Sequence, residues 1–82
     1  MQIQVIKDDI KNGKRLNECH CPIALAFKRK GFKSVKVTRH FVEIEGFDFE
    51  LPNDVKNFVK EFDNKKNVEP FEFNVEGLST CN

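Results

Sequence analysis

The 82-residue chain has no tryptophan and no tyrosine, and only four glycines and three prolines. The glycines stand singly, so no glycine-rich loop of the kind that binds nucleotide phosphates is present, and no G-x-S-x-G nucleophile motif occurs. No apolar run approaches the roughly 20 residues that span a bilayer, and the first residues lack the basic-then-apolar pattern of a secretory signal. These absences predict a soluble, cytoplasmic, non-enzymatic protein with no cofactor and no membrane contact.

Cysteine is also scarce, and the chain has three: Cys19, Cys21 and Cys81. An odd number of cysteines, two of them nearly adjacent, does not suit a disulfide scaffold and favours a reducing compartment. The segment 18–22 (ECHCP) is nevertheless the main concentration of reactive side chains in the sequence.

Three interpretations of this segment stay open. Cys19, His20 and Cys21 could bind a metal, although neighbouring ligands converge poorly on one ion and structural zinc sites use spaced pairs. His40 or Cys81 would then have to complete the ligand set. Alternatively, backbone N–H groups at a helix start could lower the pKa of Cys21 and make its thiol nucleophilic. In the third interpretation, one cysteine fills the core and the others are loop residues.

Phenylalanine, by contrast, is abundant, with nine residues. Its side chain offers a large apolar area and no polar atom to satisfy, which suits the interior of a small domain. Burying one Phe contributes roughly 1.5–3 kcal/mol. The length predicts a single domain over residues 1–76, followed by a polar C-terminal tail over 77–82.

The spacing of the apolar residues predicts the secondary structure. We expect, in order, a strand over 2–7, a helical turn over 8–13, a helix over 22–30, three strands within 33–51, a helix over 52–63 and a strand over 68–76. In the helix over 52–63, the apolar residues fall at i, i+3, i+4 and i+7 and predict a buried stripe. The members of this stripe are Val55, Phe58, Val59 and Phe62.

The three central strands are expected to form an antiparallel meander with two-residue turns at 39–40 and 45–46. These turns pair Val37 with Val42 and Ile44 with Phe47, which places the alternating apolar residues on one face. The predicted fold class is α+β: a four- to five-stranded, mostly antiparallel sheet that includes this meander, with two helices on one face.

Charge is divided unevenly along the chain, although the net charge is only +1. Residues 1–40 hold ten Lys and Arg against three acids, a net charge of +7, and residues 41–82 hold four against ten, a net charge of −6. The two halves could neutralise each other across the sheet, as Lys36 and Glu43 would if they were neighbours. Alternatively, the separation serves a macromolecular partner.

A basic run without an acid joins the second helix to the first strand of the meander. It consists of Lys28, Arg29, Lys30, Lys33, Lys36 and Arg39. These cations could contact the phosphates of a nucleic acid or nucleotide, with His40 and Phe41 beside them for stacking.

Acids alternate along the next two strands and are expected on the outer face of the sheet. They are Glu43, Glu45, Asp48 and Glu50. Such a face could imitate phosphates and occupy a basic groove on a protein partner, or it could simply keep the protein soluble.

Four segments of the chain resemble a family of short uncharacterised bacteriophage proteins. They are residues 21–26 (CPIALA), 51–52 (LP), 58–63 (FVKEFD) and 68–73 (VEPFEF). The family shares the opening strand and one-turn helix, the Cys-Pro helix start and the Val-x-Pro-Phe-x-Phe final strand, so the resemblance covers nearly the whole chain. It supplies no catalytic residue to transfer.

This resemblance implies a phage gene product that acts in the cytoplasm of a bacterial host. Small accessory phage proteins often bind and block host machinery, including nucleases and other defence systems. The expected function is therefore non-enzymatic binding that inhibits or redirects a host protein or a defence signal. A small nucleic-acid or nucleotide binder that uses residues 28–39 is the first alternative. A metal- or thiol-dependent protein built on Cys19, His20 and Cys21 is the second.

Overall fold

The computed structural model describes residues 1–75 and contains five strands and three helices. In chain order these are β1 (Gln2–Val5), α1 (Lys7–Asn12), α2 (Pro22–Arg29), β2 (Val35–Val37), β3 (Phe41–Ile44), β4 (Phe47–Glu50), α3 (Asn53–Asp63) and β5 (Phe71–Asn74). The predicted α+β class is confirmed. The predicted polar tail over 77–82 lies outside the described residues. None of the helices in residues 1–75 has the length and hydropathy that crossing a membrane would require.

The strands form two antiparallel sheets instead of the single sheet of four or five strands that the sequence predicts. β1 pairs with β5, and β2, β3 and β4 form the meander. At the outer edge of β2, a loop takes the place of a further strand. There the N–H of Val37 donates to the carbonyl of Glu18 at 2.8 Å, so a loop occupies the hydrogen-bonding position that a strand of the other sheet would need.

The register of the meander agrees with the prediction. Val37 lies opposite Val42 and Ile44 lies opposite Phe47. The second turn contains Glu45 and Gly46, with φ of 49° and 91°, and positive φ at both central residues is the requirement of a type I′ hairpin turn. Phe47 was predicted to face the core, and this is wrong. It lies on the same face as the core residues but is 71% exposed, because it is at the tip of the hairpin, beyond the core.

The helices and the two sheets enclose one core. In α2, Ile23, Ala24 and Phe27 are fully buried, which fits a helix whose first turns are apolar on every side. The Phe27 ring lies 5.9 Å from that of Phe73 in β5, edge to face, a favoured aromatic geometry.

The predicted stripe of α3 is confirmed as the contact face of that helix. Val55, Phe58 and Val59 are buried, and Phe62 is half-buried and stacks on Phe58 at 6.3 Å. The Phe58 ring also lies 4.9 Å from Phe71. Aromatic contacts therefore join both long helices to the strand that pairs with β1.

Candidate functional site

Cys21 is a buried residue that caps α2 and packs in the core. Its Sγ accepts the N–H of Ala24 at 3.4 Å, which satisfies one of the free N–H groups at the helix start. Burial raises the pKa of the thiol, and the helix-start N–H groups of Ala24 and Ile23 offset this only in part. The expectation of a lowered pKa is therefore wrong, because removing the thiolate from water costs more than these N–H groups recover.

Cys19 and His20 belong to a turn organised by Asn17. The backbone N–H groups of Cys19 and His20 donate to Asn17 Oδ1 at 3.1 and 3.0 Å, an Asx-type turn. His20 is exposed and Cys19 is half-buried. No three His, Cys, Asp or Glu side chains in the described part of the chain converge to hold a metal ion. The geometry of residues 1–75 thus gives no support to a metal site at Cys19, His20 and Cys21.

A cleft of about 290 Å³ opens beside this turn, between the loop over 14–20, the end of β2 and α3. Leu16 stands at its rim, 77% exposed and with a φ of 55°, and its N–H donates to Asp63 Oδ1 at 3.1 Å. Arg39, Glu18 and Asp63 also line the cleft. Every buried side-chain N or O atom in residues 1–75 has a hydrogen-bond partner, so no buried polar group is left to bind a ligand in the cleft. Sequence periodicity does not indicate the cleft, since it forms between distant segments.

Two members of the basic run hold other parts of the fold in place. Lys28 Nζ donates to the carbonyl of Cys19 at 2.6 Å. Arg29 donates to the carbonyl of Gln4 at 2.6 Å and to Asp9 Oδ2 at 2.9 Å. Lys28 is half-buried and Arg29 has an acidic partner, while Arg29 and the other four cations of the run are exposed.

The remaining cations of the basic run lie before, within and after β2. Lys30 and Lys33 are exposed between α2 and β2, Lys36 is on the outer face of β2, and Arg39 is in the next turn.

The acids of the meander are closer together. We define the acidic face as the outer side of β3 and β4, formed by Phe41, Glu43, Asp48 and Glu50. Glu43 lies directly opposite Asp48, and Phe41 lies opposite Glu50. The fourth predicted acid, Glu45, is in the turn, and its carboxylate accepts the N–H of Lys33 at 3.3 Å.

Only one carboxylate of the acidic face has an ion pair in the described residues. Glu50 accepts from Lys56 Nζ at 2.9 Å, and this hydrogen bond lowers the pKa of Glu50. Glu43 has Lys36 opposite it in register on β2, but no ion pair forms between them. Glu43 and Asp48 therefore form a like-charged cross-strand pair, an arrangement that costs stability. Phe41 is 48% exposed beside them.

The acidic face thus places two carboxylates without an ion pair, Glu43 and Asp48, directly opposite each other. Comparison with protein-family models, with curated proteins and with solved structures found no match to this chain.

Proposed function

We propose that this chain is a non-enzymatic binding domain whose acidic face engages a basic surface on a bacterial host protein and so inhibits or redirects that protein. The observation that carries the proposal is Phe41, an aromatic residue 48% exposed and opposite Glu50 in register. Exposed aromatic side chains surrounded by polar groups are typical anchors of protein interfaces.

Electrostatics supports the choice of a basic partner. The carboxylates of Glu43 and Asp48 lack cationic partners in the described residues, so a Lys- or Arg-rich surface would supply the missing counter-charges. Such charges steer association and select partners more than they add affinity. At physiological salt their field extends about 8 Å, so the partner must approach this face closely.

A phage origin of the protein is part of this proposal, and it rests on the four segments that resemble the phage family. The bacterial host is proposed because of that origin. A role for residues 28–39 in nucleic-acid binding has weaker support, because Lys28 and Arg29 bond to other parts of the fold.

The test is retention of proteins from lysates of candidate host bacteria on the immobilised full-length chain. We expect one host protein to be retained by the wild type, lost with the Glu43→Lys/Asp48→Lys variant and weakened by Phe41→Ala. Its retention should also fall with added salt. The matched control is Lys30→Glu/Lys33→Glu, which reverses two exposed charges elsewhere and should leave retention unchanged.

Two results would contradict the proposal. Retention of the same protein by the acidic-face variant would remove this surface from the interaction. Retention of nucleic acid alone, abolished by Lys30→Glu/Lys33→Glu, would transfer the function to the basic run.

A further inference from the structure

The two edges of the meander differ in what covers them. The outer edge of β2 is covered by a loop, through the hydrogen bond between the Val37 N–H and the Glu18 carbonyl. β4 is the opposite edge of the sheet and pairs only with β3. No other segment within residues 1–75 adds to it.

The ladder determines which groups of β4 face outward. In a two-residue hairpin the residues that flank the turn form a hydrogen-bonded pair, and bonded and non-bonded pairs then alternate. Here the first hydrogen-bonded pair is Ile44 with Phe47. The Leu51 N–H donates to the His40 carbonyl at 2.9 Å, as expected if every second pair from there is hydrogen-bonded. The N–H and C=O groups of Asp48 and Glu50 therefore point away from β3.

The side chains of β4 differ in chemistry between the two faces of the strand. On the acidic face, Asp48 and Glu50 present carboxylates, with Glu43 immediately behind Asp48. On the other face, Phe47 is 71% exposed and Phe49 is half-buried. A strand added beside β4 would place successive residues alternately beside carboxylates and beside phenyl rings.

We propose that β4 is a docking strand, and that its free edge accepts an extended segment of the partner in which basic and apolar residues alternate. Backbone bonds to Asp48 and Glu50 would supply affinity, and the two faces would select the side chains. A cation beside Asp48 would also relieve its repulsion from Glu43. This inference rests on the proposed function, because it names the segment of the basic partner that the acidic strand recognises.

Charge argues against the two occupants that the chain itself could supply. If β4 of a second copy paired here, it would bring Asp48 and Glu50 against the same acids, and like charges on paired strands repel. Residues 76–82 (EGLSTCN) contain no Lys or Arg, so they lack the cations that the edge requires.

The experiment measures binding of three synthetic peptides to the full-length protein. The first alternates Lys and Val over eight residues. The second is the same peptide in which the backbone amides that would face β4 are N-methylated. It keeps every charge but cannot form backbone hydrogen bonds with β4. The third has the same composition in two blocks. Amide chemical shifts locate the site on the protein.

We expect the alternating peptide to bind at least about tenfold more tightly than the other two, with the largest shifts at Asp48 and Glu50. The variant Asp48→Pro removes an outward N–H, a position where edge strands tolerate proline, and should weaken binding further than its charge-matched control Asp48→Asn. If Asp48→Pro does not fold, the N-methylated peptide still decides the question.

Three outcomes would overturn the docking strand. Equal binding of the methylated peptide would mean that charge alone attracts the peptide, which contradicts strand addition but leaves the proposed function intact. Absence of binding up to about 1 mM peptide, a very weak affinity, would reject the edge as a site for such segments. A wild-type dimer that Asp48→Pro dissociates would assign the edge to a second copy.

Discussion

The two sheets of this protein use their aromatic residues in opposite ways. In the sheet of β1 and β5, Phe73 packs against Phe27, and Phe71 against Phe58. In the meander, the last strand leaves Phe47 71% exposed, and its outer face holds unpaired carboxylates. The first sheet gains stability from helices that cover it. Within residues 1–75, the second retains exposed apolar area, like charges and an edge that no strand pairs with, features that lower stability in isolation and suit a partner.

The largest effect should come from the packing of α2 on the first sheet. Phe27→Ala removes a fully buried ring and should lower the free energy of unfolding by about 3–5 kcal/mol, because neighbouring side chains fill such a cavity only partly. Urea denaturation of this variant, and of the milder Phe27→Leu, measures the loss. A denaturation midpoint equal to that of the wild type would contradict the packing of α2 on β5.

A smaller effect should come from the ion pair between the buried Asp9 of α1 and the partly exposed Arg29 of α2. The carboxylate of Asp9 is 5% exposed and accepts from the Ile6 N–H and from Arg29. Asp9→Ala should cost about 1–3 kcal/mol, because both donors lose their partner. The matched control is Asp8→Ala, at an exposed neighbouring position, which should change the free energy of unfolding by less than about 0.5 kcal/mol. Equal costs for the two variants would mean that the ion pair contributes nothing specific.

A pH-dependent effect should follow from Cys21. Burial raises the pKa of its thiol in the folded protein, so the folded state favours the protonated form, and this contribution is fully present below the pKa of the unfolded thiol. It is lost as the pH rises through about 8.5 and above. The wild type should therefore lose stability in this range more steeply than Cys21→Ser, in which no thiol titrates at this position.

Cys19→Ser is the control for the alkaline measurement. It retains Cys21 and should follow the wild-type pH dependence. Parallel curves for the wild type and Cys21→Ser, recorded by thermal unfolding between pH 7 and pH 10 at about one-unit steps, would show that the buried thiol does not govern the alkaline behaviour.

The smallest effect should come from the exposed ring of the meander. Phe47→Ala should change the free energy of unfolding by about 0.5 kcal/mol or less, because the ring covers little of the core. The contrast with Phe27→Ala sharpens the comparison of the two sheets, since the same substitution removes a ring buried against β5 in one case and an exposed ring of β4 in the other. A loss above about 1 kcal/mol, measured by urea denaturation, would place Phe47 in the core and weaken its assignment to a docking edge.

Local patterns predicted much of the fold correctly. The alternation around Val42 and the turn residues at 45–46 predicted both registers of the meander, since a slip by one residue would expose the whole apolar face. The stripe on α3 and the helix start at Pro22 were predicted for the same reason: both depend on spacing and on backbone chemistry within a few residues.

The candidate site was only partly predictable. The acids of the meander were predicted on one face because strand alternation places them there. The lack of ion pairs at Glu43 and Asp48 was not predicted, because it depends on which cations reach them. Arg29 bonds to Asp9, 20 residues earlier in the chain, and Lys28 bonds to the carbonyl of Cys19. No local pattern identifies these partners, so the sequence did not show that these two cations are engaged within the fold.

The sequence by itself determined the α+β class, the register of the meander and the buried stripes, because these follow from periodicity and turn chemistry over short distances. Only the tertiary structure decided that the strands divide into two sheets, that Cys21 is buried, and that β4 has one edge with no paired strand within the described residues. These features depend on which distant segments meet. The loop at Glu18 covers one edge of the meander, and within residues 1–75 nothing covers the other.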